Sequence, residues 1–228
     1  MTIEIPIFFS TDNNYIPYLD VAISSLIANA SKCYQYRIII LNTGLLPENI
    51  AKVKRNEQPG FVIEFTDISK CVEKIKNRFK NIYHFSIVTY YRLFIATLFP
   101  QYGKIVYLDC DLVVLGDISE LYNTDLGSNI LGAAPEQFVQ NTAEFRDYAE
   151  IALSIDPDSY VNAGVLLINL NAFRKNHIEG KFINLITQYD FDLLDHHCSN
   201  RLYGTAICTG WTYCNHHQQA AGSVFWCG

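Results

Sequence analysis

Apolar residues fall along this chain in short runs separated by turn-forming stretches, and the runs follow two different periods. Ile5 to Ser10 is compact and apolar, and Thr11-Asp12-Asn13-Asn14 breaks it with turn chemistry, which predicts a buried strand ending in a loop. Leu19, Ala22, Ile23, Leu26 and Ile27 then recur at helical spacing, with Pro17 tolerated in the first turn. Arg37 to Leu41 predicts a second buried strand, Pro47 to Arg55 a second helix and Phe61 to Phe65 a third strand, giving β-α-β-α-β.

A charged stretch from Lys70 to Arg78 reads as helical, and Ser86 is placed to cap a helix carrying Ile87, Tyr90, Tyr91, Phe94 and Leu98, ended by Pro100. Lys104 to Leu108, Ile130 to Ala134 and Val165 to Leu170 predict further core strands, with helices at Thr142 to Leu153 and Ile178 to Tyr189. Strands alternating with helices imply an α/β domain built on a mostly parallel, covered sheet. Ligands of such open sheets sit beyond the carboxyl ends of the strands, which directs attention to Asp12 to Tyr15 and to Asp109 to Asp111.

The length of 228 residues fits one domain. Half the residues are hydrophobic and 18% charged, which excludes a disordered or fibrous chain. The net charge of −6, without a basic patch, argues against nucleic acid as a partner. No apolar run approaches the roughly 20 residues of a membrane span, and Glu4 lies where a signal peptide carries lysine or arginine, so a cytoplasmic location is expected. Seven cysteines at irregular spacing without a CxxC read as reduced thiols. From His196 to Gly228 the composition changes: Arg201 is the one charged residue, yet four of the six histidines and four of the seven cysteines lie there.

Several cofactor classes lose their signatures. No GxGxxG can be written, and Gly127 and Gly132 have P-loop spacing but are followed by Ala133 and Ala134 where lysine and serine or threonine are needed. There is no G-x-S-x-G elbow and no H-E-x-x-H helix. Asp109-Cys110-Asp111 is the most informative triplet that remains. Two residues apart on an extended backbone, the carboxylates point to one side and can share a hard divalent cation, with a nucleotide diphosphate completing the shell. Asp156-Pro-Asp158 and Asp190-Phe-Asp192 have the same spacing but do not follow a buried strand, and are expected to be solvated turns or helix ends.

The phrase Lys104-Ile-Val-Tyr-Leu-Asp-Cys-Asp-Leu-Val-Val114 resembles the metal-binding strand of glycosyltransferase family 8, the retaining transferases that include lipooligosaccharide galactosyltransferases and glycogenin. Phe8-Phe-Ser-Thr-Asp-Asn-Asn-Tyr15 is similar to the family's nucleotide loop, Thr89-Tyr-Tyr-Arg-Leu93 to its sugar-contacting helix, and Tyr160 to Leu170 to its acceptor-side strand. The resemblance implies a GT-A-like, Rossmann-like single domain over residues 1–195, with residues 196–228 as a divergent or truncated C-terminal segment of it. It further implies that the loop Ser10, Thr11, Asp12, Asn14 and Tyr15 holds uridine, with Tyr15 against the base. An Asx-turn with Tyr15 packed on the following helix is the alternative. Asp109 and Asp111, flanking Cys110, would take manganese or magnesium, and Arg92 would reach the donor sugar and phosphate. Asn162 would meet sugar hydroxyls beside Gly164, or serve a turn. Glu136 would face sugar or acceptor, and Asp195, with His196 and Asn200 following, would be the sugar-binding acid.

His196 and His197 stand in the middle and last positions of the family's Asp-Gln-Asp triplet. Its His-x-x-Gly-x-x-Lys-Pro-Trp segment is matched only faintly by Gly222-Ser-Val-Phe-Trp226, with Gln219 and Phe225 at the histidine and lysine positions. His216 or His217 could supply a metal ligand instead, and Cys198, Cys208, Cys214 and Cys227 lack the paired spacing of a zinc site. The expected activity is metal-dependent, retaining transfer of glucose or galactose from a UDP-sugar to a hydroxyl of a saccharide or glycan acceptor, such as a lipopolysaccharide, with peripheral membrane contact allowed. The alternative is a nucleotide-sugar-binding pseudoenzyme or inactive truncated transferase. A sugar-phosphate nucleotidyltransferase is disfavoured by the missing N-terminal glycine-rich loop.

Overall fold

The computed structural model describes residues 3–76, 87–152, 154, 156–188, 207–208 and 224–226. The first half is β1 (Glu4–Ser10), α1 (Ile16–Asn29), β2 (Gln35–Asn42), α2 (Pro47–Lys54), β3 (Phe61–Asp67) and α3 (Ser69–Lys76). A 3₁₀ segment, Ile87–Phe94, leads into the single turn α4 (Ile95–Leu98), then β4 (Lys104–Leu108), β5 (Leu112–Val114), α5 (Ile118–Asn123) and β6 (Leu131–Pro135). Two short helices, α6 (Gln137–Asn141) and α7 (Ala143–Asp147), precede β7 (Val161–Asn169), α8 (Leu170–Lys175) and α9 (Ile178–Gln188). The backbone of β8 (Ile207–Cys208) and β9 (Val224–Trp226) completes the described chain.

The main sheet runs β3-β2-β1-β4-β7-β6-β8. It is mostly parallel: β1 pairs with β2 and β4, β2 with β3, and β6 with β8 in parallel. Only β7 runs against its neighbours β4 and β6. β5 pairs with β9 antiparallel in a second, two-stranded sheet. The reversal of β7 brings its first residues beside the last residues of β4 and β6, so three strand ends meet at one edge.

Alternation along β1 divides the core between two faces. Ile5, Ile7 and Phe9 pack with Leu19, Ile23 and Leu26 of α1, while Phe8 packs on the other face with Tyr91, Phe94 and Phe173. Both faces are therefore covered, and β1 and β2 read as nearly continuous apolar runs.

Four elements differ from the sequence reading. The segment Ile87–Phe94 is 3₁₀ rather than α-helical. Its β-branched and aromatic residues crowd an α-helical turn, and Arg92 Nε donates to the Thr89 carbonyl at 2.9 Å, an acceptor an α-helix would use internally. The expected Ser86 cap lies outside the described residues. The helix expected at Thr142 to Leu153 is the short α7 followed by a wider π turn, Tyr148–Ala152, with α6 before it unforeseen. β7 begins at Val161, four residues earlier than its apolar run, because Asn162 and Gly164 sit inside it. Asp109–Asp111 is a bend between β4 and β5 rather than extended strand. No helix among the described residues is long and apolar enough to cross a membrane.

Candidate active site

The loop after β1 is built by short polar side chains. Asp12 Oδ1 accepts the backbone N–H groups of Asn14 and Tyr15 at 2.8 and 3.2 Å, so the Asx-turn is present. Asn13 ties the loop to the start of α2, accepting Leu46 N–H at 2.9 Å and donating to the Gly44 carbonyl at 3.1 Å. Asn14 is left exposed, and Tyr15 keeps a half-exposed ring tilted against Tyr18 at 5.6 Å. Both parts of the alternative reading are therefore present, the Asx-turn and the contact of Tyr15 with α1, and Tyr15 also lines the cleft that holds Asp109 and Asp111.

At the end of β4, Asp109 N–H donates to the Gly164 carbonyl at 2.8 Å. Cys110 turns inward, its thiol donating to the Ser10 carbonyl at 3.0 Å, and burial pushes that thiol well above its usual range. Because the bend buries Cys110, Asp109 and Asp111 are turned out on either side of it. Both line one cleft, with Ser10, Tyr15, Val88, Thr89, Arg92 and Tyr107. The two acids therefore share a cleft through the bend, where the sequence reading had invoked strand alternation.

Arg92 forms the inner wall. It is 6% exposed and commits its fork to protein: Nε to Thr89, Nη1 to the Ala163 carbonyl, and Nη2 to Asp109 Oδ1 at 3.3 Å. Its guanidinium carbon lies 4.4 Å from the centre of the Tyr107 ring. A buried cation requires such partners. Tyr107 is itself fully enclosed, and burial raises its phenol well above the usual value.

The start of β7 supplies the third side. Asn162 Oδ1 accepts Gly164 N–H at 2.7 Å and its Nδ2 donates to Glu136 Oε2 at 2.7 Å. The other Glu136 oxygen caps α6 by accepting Phe138 N–H at 3.2 Å. A Cβ on Gly164 would lie 2.8 Å from Asp109 Oδ2, so only glycine lets that carboxylate rest on the strand. Asn162 thus does more than turn the chain: it links Glu136 to the backbone beside Asp109.

Asp195, His196, His197, Cys198, Asn200, Cys214, His216, His217, Gln219 and Cys227 lie outside the described residues. The other D-x-D pair that is described, Asp156 and Asp158, caps a 3₁₀ turn and bonds Arg146 at 2.7 Å on the surface, as solvated turns do. Among the described residues no three His, Cys, Asp or Glu side chains gather as a metal cage. Sequence reasoning reached Thr89 only as part of the Thr89–Leu93 motif and gave Val88 and Tyr107 no role in the cleft they line; the available signal for Tyr107 was its place two positions before Asp109.

The family profile described as "Glycosyl transferase family 8" matches residues 6–200. A Haemophilus influenzae protein bearing a glycosyltransferase name is 30% identical over 203 residues, covering 86% of this chain and 60% of its own length. General stress protein A of Bacillus subtilis is 27% identical, covering 84% and 65%. The chain thus spans less than two thirds of the length of these relatives. Among solved structures, the galactosyltransferase LgtC in complex with donor and acceptor sugar analogues superposes with a TM-score of 0.65 at 30% identity, covering 87% of this chain and 70% of that one. The bifunctional glycosyltransferase WbbM reaches a TM-score of 0.82 at 24% identity, over 93% of this chain and 40% of that one, and so shares the fold. With the profile spanning residues 6–200 and LgtC sharing the fold at 30% identity, this chain belongs to glycosyl transferase family 8.

Proposed function

We propose that this chain transfers a hexose, glucose or galactose, from a UDP-sugar to a hydroxyl of a glycan acceptor, with retention at the anomeric carbon and dependence on a divalent metal. The observation that carries the reading is one shared cleft in which Ser10 at the end of β1 and Tyr15 at the start of α1 meet Asp109 and Asp111 from the bend after β4. A ring face beside short polar side chains suits uridine, and paired carboxylates suit a cation-bridged diphosphate. Family membership and the LgtC structure with bound sugar analogues support the same assignment.

The residues present fit a hard divalent ion. Both acids offer oxygen donors to the cleft, Asp109 is braced by Arg92 and by the bare Cα of Gly164, and diphosphate oxygens would complete the shell. When bound, manganese or magnesium would stabilise the negative charge on departing UDP. The chain's own residues divide the remaining work. Ser10, Thr11, Asp12, Asn14 and Tyr15 form the uridine loop, while Asn162 and Glu136 border the sugar and acceptor side. Asp195 is assigned the positive charge that builds at the anomeric carbon.

Transfer of labelled sugar from UDP-glucose or UDP-galactose to a saccharide acceptor, abolished by EDTA and by Asp111→Ala, is the expected result. Metal-independent transfer overturns the role of the acidic pair. UDP binding without any turnover identifies a nucleotide-sugar-binding protein that is not a transferase.

A further inference from the structure

We infer that Tyr107 and Arg92 act as a positioning pair for Asp109: the Tyr107 ring carries the Arg92 guanidinium, and Arg92 holds the carboxylate in the orientation that receives the metal diphosphate of the donor. The inference rests on the donor reading above and assigns a different task to Arg92 than direct contact with the sugar. The fork is already committed, since three of its nitrogens bond the Thr89 carbonyl, the Ala163 carbonyl and Asp109 Oδ1. One face of the guanidinium lies over Tyr107, whose ring centre is 4.4 Å from the guanidinium carbon. A planar, weakly hydrated cation is suited to such a stacked, nearly dehydrated seat, and a lysine ammonium is not.

Asp109 is consequently held from two sides. Arg92 takes Oδ1, and Oδ2 rests where a Gly164 side chain would be. Three elements that are distant in sequence meet there: the 3₁₀ segment brings Arg92, β4 brings Tyr107, and β7 brings Ala163 and Gly164. Asp111, by contrast, has no hydrogen bond or ion pair among the described residues. One acid is fixed and the other adjustable, an arrangement that lets a metal diphosphate dock against a rigid ligand and draw the second one in. Residues that orient a metal ligand change metal affinity by roughly 10–100-fold when altered.

Calorimetry with two probes tests this: UDP with manganese ion, which needs the acids, and uridine alone, which needs only the β1 loop. Tyr107→Leu and Arg92→Lys are each expected to weaken UDP with manganese by about 10-fold or more, while uridine affinity stays within about two-fold. Tyr107→Phe, which keeps the ring face, is expected to retain wild-type affinity for both probes. Arg92→Lys keeps the charge and serves where Tyr107→Leu fails to fold by circular dichroism. Wild-type affinity in both weakened variants overturns the inference, as does equal loss of uridine, which marks a collapsed cleft, or a Tyr107→Phe as weak as Tyr107→Leu. Wild-type protein that binds neither probe overturns the functional reading itself, and this inference with it.

Discussion

Removing Asp109 should destabilise the fold while removing Asp111 should not, although both acids are assigned to the same metal. Arg92 is 6% exposed and Asp109 is the carboxylate bonded to it, at 3.3 Å. In Asp109→Ala the guanidinium loses this charged partner, while the neutral carbonyls of Thr89 and Ala163 and the Tyr107 ring face remain beside it. Breaking a fully buried pair costs about 3–5 kcal/mol. The Asp109 side chain is 35% exposed, so solvent already screens it, and about 1.5–3 kcal/mol is the appropriate expectation. For a chain of this size that is roughly 3–12 °C in melting temperature. Asp111→Ala removes no described interaction and should stay within about 0.5 kcal/mol. Urea denaturation of the two variants beside wild type, compared at equal m-values, measures the difference. Equal midpoints for the two variants would refute the claim that Arg92 depends on Asp109.

Other consequences are equally direct. Gly164→Ala places a methyl 2.8 Å from Asp109 Oδ2 and 3.1 Å from Asn162 Oδ1, so it should cost about 1–3 kcal/mol of stability and weaken UDP binding in calorimetry. Asn162→Ala removes the bonds to Glu136 and to Gly164 N–H and should cost about 1–3 kcal/mol by denaturant titration. Burial, aided by the charge of Asp117, pushes the Tyr36 phenol from 10.0 up to about 12. The unfolded chain therefore releases that proton first, and this contribution to stability is lost as pH rises from about 10 towards 12. Melting temperatures across that range should fall less in Tyr36→Phe than in wild type. Among the described cysteines, exposed Cys33 should react readily with a thiol reagent in the native protein, and buried Cys110 only on unfolding.

The parallel half of the sheet was legible in the sequence because β1 and β2 are buried on both faces, so their apolar runs declare themselves without help from tertiary context. The start of β7 was not legible in the apolar pattern, because Asn162 and Gly164 read locally as a turn, although the likeness of Tyr160 to Leu170 to a family strand did reach it. The reversal of β7 was also invisible, since direction depends on which strand ends must meet. The two acids were legible from the strand that precedes them, but the reason they share a cleft was not: it lies in the bend set by Cys110 and its bond to Ser10, a contact across 100 positions. The burial of Arg92 was hidden in the same way, because a helix arginine looks exposed until Tyr107 and Asp109 are known to flank it.

The most direct measurement of the central claim is calorimetric titration of UDP into wild-type and Asp111→Ala protein, each with manganese ion and with EDTA. Binding by the wild type that strengthens at least about 10-fold with the ion, and that loses this gain in Asp111→Ala, is the predicted result. UDP affinity that ignores both the ion and the substitution would contradict it.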